Sequence, residues 1–479
     1  MPLKEGITKA DHSRKAYVNK LAIIASLGGF LFGYDTAVIS GTINFVSSQF
    51  QLDATGTGWY VSSALLGCIS GVSVAGVLSD RFGRKKLLIV SALLFGISAI
   101  GCAMTGGFTG LVIYRLIGGL GIGVASVLSP LYISELAPAH RRGRLVSLYQ
   151  FAITLGILCS YFVNAYLLSL SKGDFWQTTT GFVHTLMVSE VWRIMLGTSF
   201  IPALLFLLLL FTVPESPRWL IVKSYEPRAY LILEKILPPE EAKLEMHDIK
   251  ANLKAEPGSS LKLFKGEFKL PMLIGISLAF LTQICGINAI IYYGPRILEQ
   301  AGLADSDALG GQVVIGFVNV LFTLIAIWKI DRLGRKPLLL AGITGIITSL
   351  IIIGLLFYFN STNTYLLLTF IMIFIACFAF SYGPVIWVLL SEIFPSRIRG
   401  KAMSVSTFSL WIGTALVGQL TPIFLEKLHP AGTFWLFALL TTPAFYLAIK
   451  IIPETKGKSL EEIERHWLHR KKNQHETEK

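Results

Sequence analysis

Long apolar runs recur along this chain, and no other feature restricts its fold so tightly. Leu21–Phe32, Leu87–Ala103 and Ile194–Val213 are examples. A hydrocarbon layer of ~30 Å is crossed by about 20 residues of helix, whereas a membrane strand needs shorter, alternating segments. Composition agrees: 53% of the 479 residues are hydrophobic and 15% are charged, with a mean hydropathy of +0.63. Soluble domains carry roughly 25% charged residues. The expected class is an all-α membrane protein with twelve transmembrane helices. The spans are expected near 20–42, 58–79, 87–106, 108–133, 145–170 and 192–213, then 271–297, 310–328, 337–359, 365–391, 402–425 and 432–452.

Two charged patterns repeat between the halves. Ser79-Asp80-Arg81-Phe82-Gly83-Arg84-Lys85 returns as Ile330-Asp331-Arg332-Leu333-Gly334-Arg335-Lys336. Ser134-Glu135-Leu136-Ala137-Pro138 with Arg142-Gly143-Arg144 returns as Ser391-Glu392-Ile393-Phe394-Pro395 with Arg399-Gly400-Lys401. Nearly the same shift relates both pairs. A parallel duplication in a membrane chain is the mark of transporters whose halves rock about a central site. The chain divides into a six-helix half (1–213), a polar, proline-bearing linker (214–270), a second six-helix half (271–452) and a charged tail (453–479). In the linker, Arg228–Leu237 and Glu240–Leu253 read as short amphipathic intracellular helices, with Leu231, Leu233, Ile236, Leu244, Ile249 and Leu253 as the packing stripe. In the tail a helical pattern at Leu460–Leu468 precedes a disordered end.

The net charge of +13 is a matter of topology rather than of nucleic acid. Of the 42 Lys and Arg residues, Lys172, Arg296 and Lys427 fall in outer connections, Arg115 and Arg193 lie in or beside spans, and the rest lie on one side. The positive-inside rule then places both termini in the cytoplasm of a multi-pass inner (plasma) membrane protein, with anionic lipid as a partner. No cleavage site accompanies the first span, which reads as an uncleaved insertion signal. Cys68, Cys102, Cys159, Cys285 and Cys377 all lie in spans and read as small hydrophobes. No metal site, cofactor site or nucleophile–base pair emerges, so an enzyme is not expected.

Polar groups inside spans are functional candidates because burying them is costly. Asp35 lies about 15 residues into the first span, ~22 Å from the inner edge. Arg115 lies about seven residues into the fourth, ~10 Å below the outer edge, so the two share a level. Protonating Asp35 would break such a pair and favour one conformation; alternatively the pair is static and fixes helix packing. The basic loops carry arginines suited to bidentate bonds with Glu135 and Glu392, which would hold a cytoplasmic gate. That gate set comprises Asp80, Arg81, Arg84, Glu135, Arg142, Asp331, Arg332, Arg335, Glu392 and Arg399. Gln150, Gln283, Asn288, Tyr292, Tyr293, Asn319, Trp387 and Trp411 add amides and aromatics at mid-membrane depth, a mixture suited to a neutral polyol. Asn288 and Tyr292 share a helical face, but Gln283 joins them only if the backbone loosens near Gly286.

These motifs resemble the sugar porter family of the major facilitator superfamily. The matching strings are Gly33-Tyr34-Asp35, Asp80–Lys85, Tyr114-Arg115, Glu135 through Gly143, Pro214-Glu215-Ser216-Pro217-Arg218-Trp219, Gln283 through Tyr293, Asp331–Lys336, Gly383 through Trp387, and Pro453-Glu454-Thr455-Lys456-Gly457. They run in order along nearly the whole chain and are most similar to bacterial D-xylose/proton symporters. The resemblance implies the major facilitator fold with four intracellular helices between its halves, a monomer, and alternating access. It implies sugar contact by Gln150, Gln283, Asn288, Tyr292, Asn319, Trp387 and Trp411, with Phe32 lining the pocket, and proton coupling by Asp35 with Arg115. Thr282 and Leu410 stand where relatives carry amides, and Ser199 where some carry an acid. The expected function is proton-coupled import of a monosaccharide, a pentose or hexose. The alternatives are a facilitative sugar carrier of the same fold and a sugar receptor that does not transport.

Overall fold

In lipid every backbone N–H and C=O must be satisfied within its own segment, so apolar runs of this length become helices. The computed structural model describes residues 2–138, 141–254, 264, 268–360, 363–394, 399–456 and 462. Among them, twelve helical spans are long and apolar enough to cross a membrane. In chain order they are His12–Gln49, Ala54–Phe82, Arg84–Met104, Phe108–Leu136, Arg142–Ser171 and Val191–Leu210, then Lys269–Gln300, Asp305–Ile330, Arg335–Tyr358, Thr364–Leu390, Lys401–Lys427 and His429–Lys450. Each expected span overlaps one of these; seven fall inside it and five run one to three residues past its end. The first begins several residues earlier than expected, because Tyr17, Val18 and Leu21 already pack against the core. Large apolar side chains such as Val77, Ile201 and Leu439 are exposed on span surfaces, where lipid rather than water suits them.

Without a hydrophobic drive between helices in lipid, close backbone contact holds the bundle. Spans two and four show this plainly. A Cβ on Gly67 or Gly71 would lie 2.2 or 2.4 Å from the carbonyl oxygens of Leu116 and Leu120. One on Gly119 or Gly123 would lie 1.9 or 2.2 Å from those of Ala64 and Cys68. This mutual approach brings Arg115 up against the second span, its guanidinium 5.8 Å from the Tyr60 ring centroid.

Three spans are interrupted. The sixth bends at Thr198 and Ser199, between Val191–Gly197 and Phe200–Leu210. The seventh breaks between Lys269–Gln283 and Ile287–Gln300, with Gly286 left-handed at φ 89°. The tenth breaks at Ser381, between Thr364–Phe380 and Tyr382–Ile393.

The linker forms three short helices, Pro217–Val222, Glu226–Ile236 and Pro239–Lys254. Ser216 caps the first by accepting from the Trp219 N–H. Leu220, Ile221 and Ala229 form their small core, with Ile232, Met246 and Ile249 against it. Leu233 and Ile236 are buried as the stripe requires, but Leu231 and Leu244 are exposed. Ala229 and Ile232 occupy the packed face in place of Leu231. The side chain of Leu253, the remainder of the linker that would hold a fourth intracellular helix, and the pattern at Leu460–Leu468 lie outside the described residues.

Candidate functional site

The break in span seven is what assembles the central cavity. Gln283 ends one helix and Asn288 begins the next, and across the turn the Asn288 amide Nδ2 donates to Gln283 Oε1 at 2.7 Å. A continuous helix would set these side chains about 140° apart. Around them, Phe32, Gln150, Tyr292, Asn319, Trp387 and Trp411 line the same cavity between the halves. All eight residues singled out for sugar contact therefore meet there, two from the first half and six from the second. Phe32 and Trp411 touch across the halves with ring centroids 5.1 Å apart. Thr282 also lines the cavity, but its hydroxyl donates to the Leu278 carbonyl at 2.6 Å and so keeps no donor for the cavity, while Leu410 offers only hydrocarbon.

Asp35 sits behind this wall. Gly33 and Thr36 of the same helix line the cavity, while Asp35 turns into the first half toward Arg115. Both are buried, at 7% and 4% exposure, and the Arg115 Nη1 to Asp35 Oδ2 separation is 3.5 Å. That is the outer limit of a hydrogen bond, and Arg115 Nε is buried with no partner. The pair lies in the interior of the first half, behind the helix face that lines the cavity. Ser199, in the bend of span six, donates to its own helix at the Leu196 carbonyl.

On the face carrying the repeated loops, the two halves build the same knot. Arg84 Nε and Nη2 each donate to a Glu135 oxygen at 3.2 Å, and Arg84 Nη1 meets Asp80 at 3.0 Å. Arg335 Nε and Nη2 donate to Glu392 at 3.2 and 2.9 Å. A second carboxylate closes each knot. Glu215 accepts from the backbone N–H groups of Arg84 and Lys85, and Glu454 from those of Arg335 and Lys336, each carboxylate capping a helix N-terminus. Ser216 donates to Glu135 and Thr455 to Glu392. Gly83 and Gly334 adopt φ of 103° and 90°, and a Cβ on either would lie 2.3 or 2.8 Å from the capping carboxylate. Burial pushes Glu454 up, but the N–H groups of Lys456, Arg335, Lys336 and Thr455 outweigh it and hold the carboxyl below its usual range.

Each of these ion pairs joins helices of one half. The structure pairs arginines bidentately with Glu135 and Glu392, one knot in each half. Arg81 lies 5.2 Å from the Phe82 ring and Arg332 5.2 Å from the Trp328 ring, while Arg142 is exposed. The side chains of Asp331 and Arg399 lie outside the described ones. Glu215, Ser216, Glu454 and Thr455 were not foreseen as site residues, although the repeat Pro-Glu-Ser at 214–216 and Pro-Glu-Thr at 453–455 was there to find them.

Hydrogen bonds between the halves gather toward the opposite face. Asn44 Nδ2 donates to both Glu299 oxygens at 2.9 and 2.8 Å. Ser62 donates to Gln419 Oε1 at 2.6 Å, and Gln419 Nε2 donates to the Thr55 carbonyl at 3.2 Å. Pro295 interrupts its helix and leaves the Ile291 carbonyl without its usual N–H partner. The Tyr161 hydroxyl, from the other half, supplies that bond at 3.0 Å. These hydrogen bonds close the seam between the halves here, which makes this the sealed side of the cavity.

A family model described as sugar (and other) transporter matches residues 21–467. The arabinose-proton symporter of Bacillus subtilis (strain 168) is 42% identical over 454 residues, covering 94% of this chain and 95% of its own. The D-xylose-proton symporter of Escherichia coli (strain K12) is 39% identical over 486 residues, covering 94% and 96%. Among solved structures, the xylose transporter XylE from E. coli in a partially occluded inward open conformation matches with a TM-score of 0.80 at 36% identity, over 93% of this chain and 100% of that one.

Proposed function

Because the chain belongs to the sugar transporter family, we propose that it is a proton-coupled symporter that imports a monosaccharide by alternating access. It is a transporter of the major facilitator fold and not an enzyme. The substrate is a pentose or hexose, in keeping with relatives named for arabinose and D-xylose. The strong bias of Lys and Arg to the face with the repeated loops supports assigning that face, and both termini, to the cytoplasm. On that assignment the sealed side is the outer one, and the conformation faces inward, as does the solved relative. The protein acts as a monomer in the plasma membrane.

The observation that carries the reading is the buried Asp35–Arg115 pair on the back of the helix that lines the cavity. Asp35 takes a proton from outside and releases Arg115, and the first span is then free to shift its cavity face. Sugar binds between the halves, with amides meeting hydroxyls and the indoles of Trp387 and Trp411 covering C–H surface. The halves rock, and sugar and then proton leave inward. The knots at the basic face gate this last step by holding each half rigid as it moves. Uptake into energised vesicles, measured before and after a protonophore, tests the proposal. Symport requires accumulation above the external concentration that collapses with the gradient. Accumulation that survives, or mere equilibration throughout as in a facilitative carrier, would overturn it.

A further inference from the structure

Thr414 lies on span eleven with 3% of its surface exposed, lining the cavity beside Gln283. Its hydroxyl oxygen is 3.0 Å from the Leu410 carbonyl and 3.1 Å from Gln283 Oε1, so its single hydrogen is shared in a three-centre bond. The close approach of the two elements is set by Gly413, where a Cβ would lie 3.1 Å from the Phe280 carbonyl oxygen and 3.2 Å from Gln283 Cβ.

Gln283 Oε1 thus has two partners, Asn288 Nδ2 at 2.7 Å and Thr414 Oγ1 at 3.1 Å. An amide oxygen has two lone pairs, and both are engaged. What Gln283 offers the cavity is its Nε2, a pure donor. Asn288, having given one N–H to Gln283, keeps its carbonyl oxygen as an acceptor. A donor and an acceptor side by side match two neighbouring sugar hydroxyls, one accepting and one donating. Left unpinned, an amide rotates readily about its last torsion, which is broad and nearly two-fold, and would exchange donor for acceptor. The neighbouring positions supply no second amide, since Thr282 has given its one hydroxyl hydrogen to Leu278 and Leu410 is hydrocarbon.

We propose that Thr414 is a positioning residue that fixes the Gln283 amide and so sets which sugar epimers the site accepts. The inference rests on the sugar-transport reading above. The test is equilibrium binding of D-xylose, L-arabinose, D-glucose and D-galactose to the purified full-length protein, followed by intrinsic tryptophan fluorescence. Thr414→Val, which keeps shape and removes the hydroxyl, should weaken binding of the best sugar roughly five- to tenfold, the effect of one hydrogen bond. It should also narrow the affinity ratio between the best and the poorest sugar, while Thr414→Ser preserves both. In a Gln283→Ala background the Thr414→Val change should add nothing. Unchanged ratios in Thr414→Val, or an equal loss with and without Gln283, would mean a packing role and overturn the proposal. Failure of the unmodified protein to bind any of the four sugars would instead count against the transport reading, so the two outcomes are separable.

Discussion

Asp35→Asn retains the shape of the carboxyl and deletes its titration, which makes it the sharpest probe of coupling. Sugar binding and downhill counterflow should persist in this variant, and uphill accumulation should vanish. Uphill uptake by Asp35→Asn vesicles would remove Asp35 from the coupling step. A second residue-scale prediction concerns Gly286. Its φ of 89° costs an L-residue roughly 1–2 kcal/mol, and a Cβ there would lie 2.6 Å from the Phe437 ring. Gly286→Ala should therefore lower the Tm of the purified protein and weaken sugar binding together, because the turn that pairs Gln283 with Asn288 is strained. At this scale much was legible in the sequence: charged and amide side chains are rare enough in spans that each stands out. The deep position of Asp35 and Arg115 followed from counting residues. What counting could not give was the direction of each side chain, so nothing marked Thr414 as different from the other span threonines, most of which donate to their own helix.

Among elements, the spans were read well because length and hydropathy alone define them. The break in span seven was half-visible, since Gly286 stood between polar residues that a straight helix would have scattered. The bends at Ser199 and Ser381 left no such sign. The charged loops stand out by their repetition and Glu135 and Glu392 by their shared face, whereas a sequence does not show that each knot closes within one half. The knots explain why Gly83 and Gly334 recur: each loop needs a positive φ and room for a carboxylate against the helix start. Glu454→Gln should loosen the second knot, keeping the hydrogen-bond shape while losing the charge that the helix start at Arg335 attracts. Its held-down carboxyl also fixes the sign of a pH effect. The contribution to stability is complete above the ordinary glutamate range, near 4.5, and is lost as pH falls through the lower folded value. Thermal melts of the parent protein should therefore lose stability below that range, and Glu454→Gln should flatten this part of the profile. An unaltered profile would show that the carboxylate does not carry it.

As a whole molecule, the protein is two six-helix lobes packed against each other, with the polar contacts across the seam gathered toward one side. Ser62 and Gln419 hydrogen-bond across that seam, so Ser62→Cys with Gln419→Cys, bridged by a short thiol cross-linker, should trap the sealed side shut. Transport should stop and return on reduction, whereas binding from the basic face should remain. Tyr161→Phe should shift the balance between the two faces by roughly fivefold toward opening of the sealed side, as loss of about 1 kcal/mol predicts. Distances between spin labels on the two lobes would report that shift. The bond that Tyr161 makes has a wider consequence. The kink at Pro295 leaves a peptide oxygen that cannot be quenched by its own helix, so when the lobes part something else must hydrate it at once. Parting of the lobes is in this sense a wetting event, and its rate should slow under osmotic stress from solutes too large to enter the cleft.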